Sequence, residues 1–304
     1  MRRLGWLEFE AGLLSLVLVA SMVLPSPAHA DEVQKPPASL TWNSSWPTFR
    51  PVEYVVTGVA GAAAAALFLF ARSPSQPHWT GGILFDDAAR DTFRLRNPGA
   101  RDAARKASDV TALTAMVLVY GVDSLLIPLV RKSDRVALQL TLMNLEALAL
   151  SSLTTNSLFI GVGRARPSYE DCQRDFNFDP LCNSGATSSF PSGHANGAFT
   201  AAGLSCAHHG HLPLYGGGAA DVAACIGTLG LATATASLRV LGDRHYVTDV
   251  LTSAGIGFGF GYGVPTLLHY VAGSGGEQSG DQAKFSLIPM GGASQYGLMA
   301  VGSF

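Results

Sequence analysis

Charged residues are scarce in this chain of 304 residues: Asp, Glu, Lys and Arg together make up 14% of it, against roughly 25% in soluble domains. The net charge is −2, so the chain lacks the basic excess of nucleic-acid-binding proteins, and nucleic acid is excluded as a partner. Hydrophobic residues make up 48%. Because lipid-facing positions carry charge only at a high energetic cost, this composition favours a membrane-embedded protein. A tightly packed soluble bundle is the alternative.

Cysteine is also rare, with four residues and none before Cys172. This absence excludes the usual lipid attachment at a mature N-terminal cysteine. Cys172 and Cys182 lie in a polar loop, where an oxidising compartment would permit a disulfide. Two unpaired loop thiols are the alternative. Cys206 and Cys225 lie in apolar segments and are predicted to be small core residues.

The first thirty residues predict an export signal. Two arginines precede an apolar run over residues 11–24, and Ala28-His29-Ala30 fits a small-x-small cleavage site. Glu8 and Glu10 are irregular in such a segment, so an uncleaved anchor is the alternative. Residues 31–53 are predicted to be a linker.

Six helices are predicted within one domain over residues 54–272, which gives an all-α, six-helix bundle. The first two are long and apolar enough to span a bilayer, and the last three are rich in small residues that allow close helix packing. The polar stretch 72–109 is predicted to be a solvated or interfacial helix, and the Gly-rich tail 273–304 to form a hairpin across residues 290–292. The six segments are 54–71, 110–130, 136–160, 194–208, 219–240 and 248–271.

Three clusters of chemically capable residues follow one another in the second half of the chain. The first contains two arginines, the second is a Ser-Gly-His sequence before an apolar run, and the third combines Arg, His and Asp. In order, they are Gly163-Arg164-Ala165-Arg166-Pro167, then Phe190-Pro191-Ser192-Gly193-His194, then Arg239 with His245 and Asp249.

Ser192 is predicted to cap a helix that starts at the second cluster. The free backbone N–H groups of such a start bind anions readily. Arg166 and Arg239 can add bidentate contacts to phosphate oxygens. These residue types together predict an anion-binding site.

His245 and Asp249 are one helical turn apart, so the carboxylate is expected to hold one imidazole nitrogen. The other nitrogen is then free to act as a nucleophile, and His194 can donate a proton to a leaving oxygen. Each residue alone has an ordinary explanation as a cap, a helix-end cation or a structural hydrogen bond. It is their combination, in this order, that predicts an enzyme.

These clusters resemble the type 2 phosphatidic acid phosphatase superfamily, which includes bacterial non-specific acid phosphatases and vanadium haloperoxidases. Its signature is Lys-x6-Arg-Pro, then Pro-Ser-Gly-His, then Ser-Arg-x5-His-x3-Asp, and the resemblance spans residues 110–271. It implies an all-helical bundle and a phosphohistidine intermediate, with no metal or cofactor. By position, it implies His245 as nucleophile, Asp249 as its orienting group, His194 as acid, and Arg166, Ser192, Gly193 and Arg239 as phosphate-binding residues.

The sequence departs from the signature at two positions. Phe159 stands where the family has Lys, so one cation of the phosphate site is missing, and Arg164 is the nearest candidate substitute. Leu238 stands where the family often has Ser.

The expected function is hydrolysis of a phosphate monoester or pyrophosphate, on a lipid or on a small molecule. Phosphatidate, phosphatidylglycerol phosphate, undecaprenyl pyrophosphate and a lipid A phosphate are all reasonable substrates. A vanadium-dependent haloperoxidase is one alternative, because the same site can hold vanadate. A non-catalytic protein that binds or transports phosphate is the other.

The membrane topology is ambiguous in the sequence. If the signal and the first three helices all cross, Arg166 lies on the cytoplasmic side, in agreement with seven cationic residues over 72–106. A Cys172–Cys182 disulfide and the family resemblance favour the outer side. We expect an exported, inner-membrane protein whose site faces the periplasm, with one apparent span not crossing. A soluble periplasmic protein is the alternative.

Overall fold

The computed structural model describes residues 40–182, 186–270, 284–292 and 295–303. The expected export signal lies outside these residues. Among them, the helical class predicted from the sequence is confirmed, because the bundle is built from long helices packed side by side. The helices are α1 (Pro51–Phe70), α2 (Asp86–Phe93), α3 (Pro98–Met116), α4 (Ile127–Val130), α5 (Asp134–Val162), α6 (Tyr169–Arg174), α7 (Gly193–His211), α8 (Ala219–Leu241) and α9 (Val247–Pro265).

Two π-helical segments extend these helices. Val117–Leu126 joins α3 to α4, so that Pro98–Val130 forms one continuous rod, and Thr266–Tyr270 prolongs α9. Pi-helical turns of this kind are inserted where a helix must adjust its register.

The polar stretch 72–109 is not the single interfacial helix that was predicted. It contains the short helix α2 and the first three turns of α3. Helix α3 begins at Pro98 because Asn97 accepts a hydrogen bond from the backbone N–H of Ala100, and Pro is well suited to the first helical position. The apolar periodicity from which the helix was predicted starts only near Val110, after the polar first turns.

Among the residues that the structure describes, four helices are long and apolar enough to cross a membrane: α1, the rod Pro98–Val130, α5 and α8. Large apolar side chains of α1 remain exposed, including Val59 and Phe68. Helices α7 and α9 do not meet the same criterion. Together with the low charge, these surfaces describe a membrane protein.

Helix α7 forms the centre of the bundle and packs closely against α9. A Cβ added to Gly261 would lie 2.2 Å from the carbonyl oxygen of Thr200, and one added to Gly257 would lie 2.5 Å from that of Asn196. These two glycines therefore allow the α7 and α9 backbones to touch. Because the catalytic candidates lie at the starts of both helices, this contact sets the spacing of the site.

The helices place one set of their ends together at what we call the site end of the bundle. It contains the carboxyl ends of α5 and α8 and the amino ends of α3, α7 and α9. The backbone N–H of Leu95 donates to Leu241 O at 3.1 Å there, and the N–H of His78 donates to Gly163 O at the same distance. Pro51 and Lys132 lie at the opposite end, since α1 and α5 run side by side in the same direction.

All four cysteines are paired. The disulfide between Cys172 and Cys182 agrees with the first interpretation of that loop. The prediction for Cys206 and Cys225 was wrong, because they form a second disulfide between α7 and α8. Their Cα atoms are only 4.4 Å apart where the two helices pack, a proximity that sequence alone does not reveal.

The tail contains the antiparallel hairpin of strands β1 (Lys284–Gly292) and β2 (Gln295–Ser303). Lys284 pairs with Ser303, and Gly292 pairs with Gln295. Residues 290–292, across which the turn was predicted, belong to the first strand instead, because both glycines pair with the second strand.

We expect Gly261→Ala to lower the free energy of unfolding by about 1–3 kcal/mol, the usual cost of overpacking. The added methyl group would overlap the Thr200 backbone. Gly259→Ala is the matched control, because a Cβ there meets nothing within 4 Å, and it should be neutral or slightly stabilising. Thermal unfolding of the purified variants in detergent measures the difference. Equal unfolding temperatures for the two variants would contradict the close packing of α7 and α9.

Candidate active site

The predicted site residues meet at the site end, each positioned by the end of a different helix. Arg166 follows the carboxyl end of α5, and Arg239 lies in the last turn of α8. His194 is in the first turn of α7, and His245 lies in the turn between α8 and α9. Arg166 Nη1 is 3.5 Å from His245 Nε2, which brings the first cluster against the third.

The imidazole of His245 is held in one orientation. Its Nδ1 lies 2.6 Å from the backbone carbonyl oxygen of Ser189, and a carbonyl can only accept, so Nδ1 carries the proton. Burial, followed by the charges of Arg166 and Arg239, holds the pKa of His245 well below its usual value. The ring is therefore neutral, with the Nε2 lone pair directed towards Arg166.

Asp249 orients this ring indirectly, which differs from the predicted direct bond. Its Oδ2 lies 3.9 Å from His245 Nδ1, too far for a hydrogen bond. It accepts instead from Ser189 Oγ at 2.6 Å and from the Tyr246 backbone N–H at 2.8 Å. The predicted i, i+4 contact requires both residues in one helix, whereas α9 begins only at Val247. Asp249 thus fixes Ser189, whose carbonyl fixes the imidazole.

Arg164 is a structural residue, contrary to its prediction as a substitute phosphate ligand. Its guanidinium is fully buried and binds Asp249 at 2.6 Å and Asp86 at 2.8 Å. It also lies between the rings of Trp79 and Tyr246, at 4.1 and 4.0 Å from their centroids. With these contacts, Arg164 holds Asp249, which orients His245 through Ser189, and its own guanidinium is closed to solvent.

The start of α7 provides backbone donors beside the histidines. Ser192 is its N-cap, and the Ser192 side chain accepts from the Ala195 backbone N–H at 3.5 Å. A Cβ added to Gly193 would meet nothing within 4 Å, so there is open space in front of this helix start. Such a terminus attracts anions through its free N–H groups and its dipole.

Asp109 is a site residue that the sequence reasoning missed. Its Oδ1 lies 3.1 Å from His194 Nε2 and 2.8 Å from Arg239 Nη2, and its side chain is 56% exposed. Burial and then Arg239 lower the pKa of His194 to about 4, while Asp109 acts in the opposite direction. Asp109 belongs to no cluster in the sequence, because α3 reaches the site from a distant part of the chain.

Positive charge is concentrated around the open space. Burial and the neighbouring charges of Arg105 and Arg239 lower the pKa of Arg244 to about 10, and burial together with Arg244 and Arg239 lowers that of Arg166. Arg239 Nε is buried without a hydrogen-bond partner among the described residues. An anion bound here would relieve the repulsion between these arginines and accept a hydrogen bond from the Nε–H of Arg239.

A cavity of about 480 Å³ opens beside the anion site. Arg166 and Arg244 line it, together with Tyr169, Ala186 and residues of the Cys172–Cys182 loop such as Phe176. Asp179 fixes this loop through buried ion pairs with two arginines of α3. Its carboxylate lies 2.9 Å from Arg101 and 2.5 Å from Arg105. These ion pairs therefore hold the loop in place where it lines the cavity.

The chain is similar to known proteins over the region that carries these residues. The family model of the PAP2 superfamily matches residues 141–272, which include every predicted site residue. The chain is 32% identical to the lipid A 4'-phosphatase of Helicobacter pylori over 120 residues, which are 39% of this chain and 54% of the relative. It thus spans about half the length of that curated relative.

Among solved structures, one similar chain is described as the first transmembrane PAP2 type phosphatidylglycerolphosphate phosphatase from Bacillus subtilis. The two share 21% sequence identity with a TM-score of 0.47, over 71% of this chain and 94% of that one.

The matched region contains the three clusters in their expected order, and the structure gathers them at one end of a helical, membrane-type bundle. Over residues 141–272, which carry the site, the chain is similar to the PAP2 superfamily.

Proposed function

We propose that this protein is a phosphatase that hydrolyses a phosphate monoester or pyrophosphate of a lipid through a phosphohistidine at His245. The observation that carries this proposal is the neutral imidazole of His245, with its proton held on Nδ1 by Ser189 and its Nε2 next to Arg166. A nucleophile of this kind needs no base to activate it.

The reaction proceeds in two steps at one phosphorus atom. In the first, the lone pair of His245 Nε2 attacks phosphorus, a P–N bond forms, and the P–O bond to the leaving group breaks. His194 gives its proton to the leaving oxygen. In the second, water attacks phosphorus, His194 takes a proton from that water, and the P–N bond breaks to release phosphate. Arg166, Arg239 and the start of α7 stabilise the charge on the phosphoryl oxygens in both steps.

A lipid substrate is supported by the position of the site at the end of apolar, membrane-type helices. The Helicobacter pylori relative is named for an activity on lipid A, which is consistent with a phosphorylated lipid here. We place the phosphate against His245, at the level where a membrane headgroup would meet the bundle.

We expect His245→Ala and His194→Ala each to lower kcat/KM at least about 10³-fold, as loss of a nucleophile or acid does. Brief incubation with a ³²P-labelled substrate should trap acid-labile, base-stable label on the wild type and none on His245→Ala. His211→Ala, at the opposite end of the bundle, is the matched control and should retain activity. Full turnover by purified His245→Ala would refute the mechanism.

The pH profile should depend on Asp109. Its negative charge raises the pKa of His194, and an acid works only while protonated, so activity falls as pH rises through that pKa. Asp109→Asn removes the charge, lowers the pKa of His194, and should move the alkaline limb of kcat to lower pH by about 1 unit. A shift of this limb to higher pH would contradict the role of His194 as the acid.

We further propose that the protein lies in the inner membrane with its site facing the periplasm. The site and Pro51 are at opposite ends of the bundle, so α1 then begins in the cytoplasm if it crosses. Because α1 packs along α5, an export signal cleaved after residue 30 would leave Pro51 in the periplasm and would not agree with this orientation. The Cys172–Cys182 disulfide supports the periplasmic placement, because it persists in an oxidising space.

Single introduced cysteines test this orientation, since all native cysteines are paired. Ser75→Cys lies near the site end and Lys132→Cys at the opposite end, and both positions are exposed. In intact spheroplasts, a membrane-impermeant maleimide should label Ser75→Cys, and it should label Lys132→Cys only after lysis. The reverse pattern would place the site in the cytoplasm, and labelling of both would indicate a soluble periplasmic protein.

A further inference from the structure

The phosphate site lacks one cation of the family signature. Phe159 stands at the Lys position. Arg164, the nearest candidate in sequence, is bound by the carboxylates of Asp86 and Asp249. Two arginines of the signature remain, Arg166 and Arg239. A site that stabilises the charge of a transferring phosphoryl group with fewer cations would be correspondingly weaker.

We propose that Arg244 supplies this missing cation, and that its guanidinium binds a non-bridging oxygen of the substrate phosphate. The inference rests on the proposed phosphatase function. It assigns a catalytic role to a residue outside the signature, at the position directly before the nucleophile.

The backbone of Arg244 is fixed between the two arginines of the signature. Its carbonyl oxygen accepts a hydrogen bond from Arg166 Nη1 at 2.8 Å. Its N–H donates to the carbonyl oxygen of Arg239 at 3.1 Å. The origin of the Arg244 side chain is therefore set relative to both phosphate-binding residues and to His245.

The side chain of Arg244 shares one surface with Arg166. Both line the cavity of about 480 Å³, and Arg166 Nη1 lies 3.5 Å from the His245 nitrogen that would attack phosphorus. The electrostatic effect of Arg244 reaches the same groups, since its charge contributes to the lowered pKa values of Arg166, His194 and His245. Arg244 thus acts on the nucleophile, the acid and the phosphate ligand together.

Other arginines near the site have different roles in the structure. Arg105 binds Asp179 and the carbonyl oxygen of Gly242, so it fixes the loop that carries Arg244. Arg174 lies at the exposed rim of the cavity and pairs with Glu170 at 3.5 Å. Of these three arginines, Arg244 is the one that lines the cavity and also directly precedes His245 in the chain.

The test compares Arg244→Gln and Arg244→Lys with the control Arg174→Gln, which removes a cation from the rim of the same cavity. Each variant is assayed for kcat/KM on a lipid phosphate and for inhibition by orthovanadate, which mimics the transferring phosphoryl group. We expect Arg244→Gln to lower kcat/KM by about 100-fold, in the range for loss of one charge-stabilising donor. Its inhibition constant for vanadate should rise in parallel, Arg244→Lys should recover part of both losses, and Arg174→Gln should match the wild type.

Two results would overturn the assignment: wild-type kinetics in Arg244→Gln, or a loss of turnover with unchanged vanadate inhibition, which would indicate a structural role. If Arg244→Gln does not fold, the Lys variant carries the same comparison of turnover and inhibition. An inactive wild type would count against the proposed function, whereas direct vanadate binding to the wild type and Arg244 variants would still test this residue.

Discussion

The buried ion pair between Arg164 and Asp249 is the contact on which the rest of the site depends. Neither side chain is accessible to solvent, and removal of one partner from such a pair commonly costs about 3–5 kcal/mol because the other is left uncompensated. Here the pair also has a geometric consequence. Asp249 accepts a hydrogen bond from the Ser189 hydroxyl, the Ser189 carbonyl oxygen accepts one from the Nδ1–H of His245, and Nε2 is left unprotonated beside Arg166.

In the proposed mechanism, the orientation of His245 is thus separated from the binding of phosphate. Arg164 and Asp249 are closed to solvent and do not need to contact the substrate. Arg166 lies beside His245, and Arg239 shares the carboxylate of Asp109 with His194. The two groups differ in their surroundings. The charge of Arg164 is compensated by carboxylates and aromatic rings, whereas positive charge is in excess around Arg166 and Arg239. A polyanionic substrate is the natural counterpart of that excess.

Much of this arrangement could be predicted from the sequence, because helix ends and residue types carry local signals. The cap at Ser192, the order of the three clusters and the helical class all follow from short-range patterns. The roles of Arg164, Asp109 and Cys206 could not be predicted in the same way. Arg164 and Arg166 are two residues apart and chemically identical, and only the packing of Trp79 and Asp86 around Arg164 distinguishes them.

Long-range contacts also explain the indirect role of Asp249. The spacing of His245 and Asp249 suggested one helical turn, but the turn before Val247 leaves the histidine outside the helix, where Ser189 reaches it from another segment. The residue that accepts the hydrogen bond from His245 Nδ1 therefore comes from the loop before α7, which the spacing within the third cluster does not indicate.

The proposed mechanism requires a phosphoryl group to bind between His245, the two signature arginines and the start of α7. A crystal structure of the protein with bound vanadate would show whether it does. We expect vanadium within bonding distance of His245 Nε2, with vanadate oxygens on Arg166, Arg239 and the Gly193 backbone N–H. Vanadate bound elsewhere, with His245 Nε2 remote from it, would rule out this phosphate site.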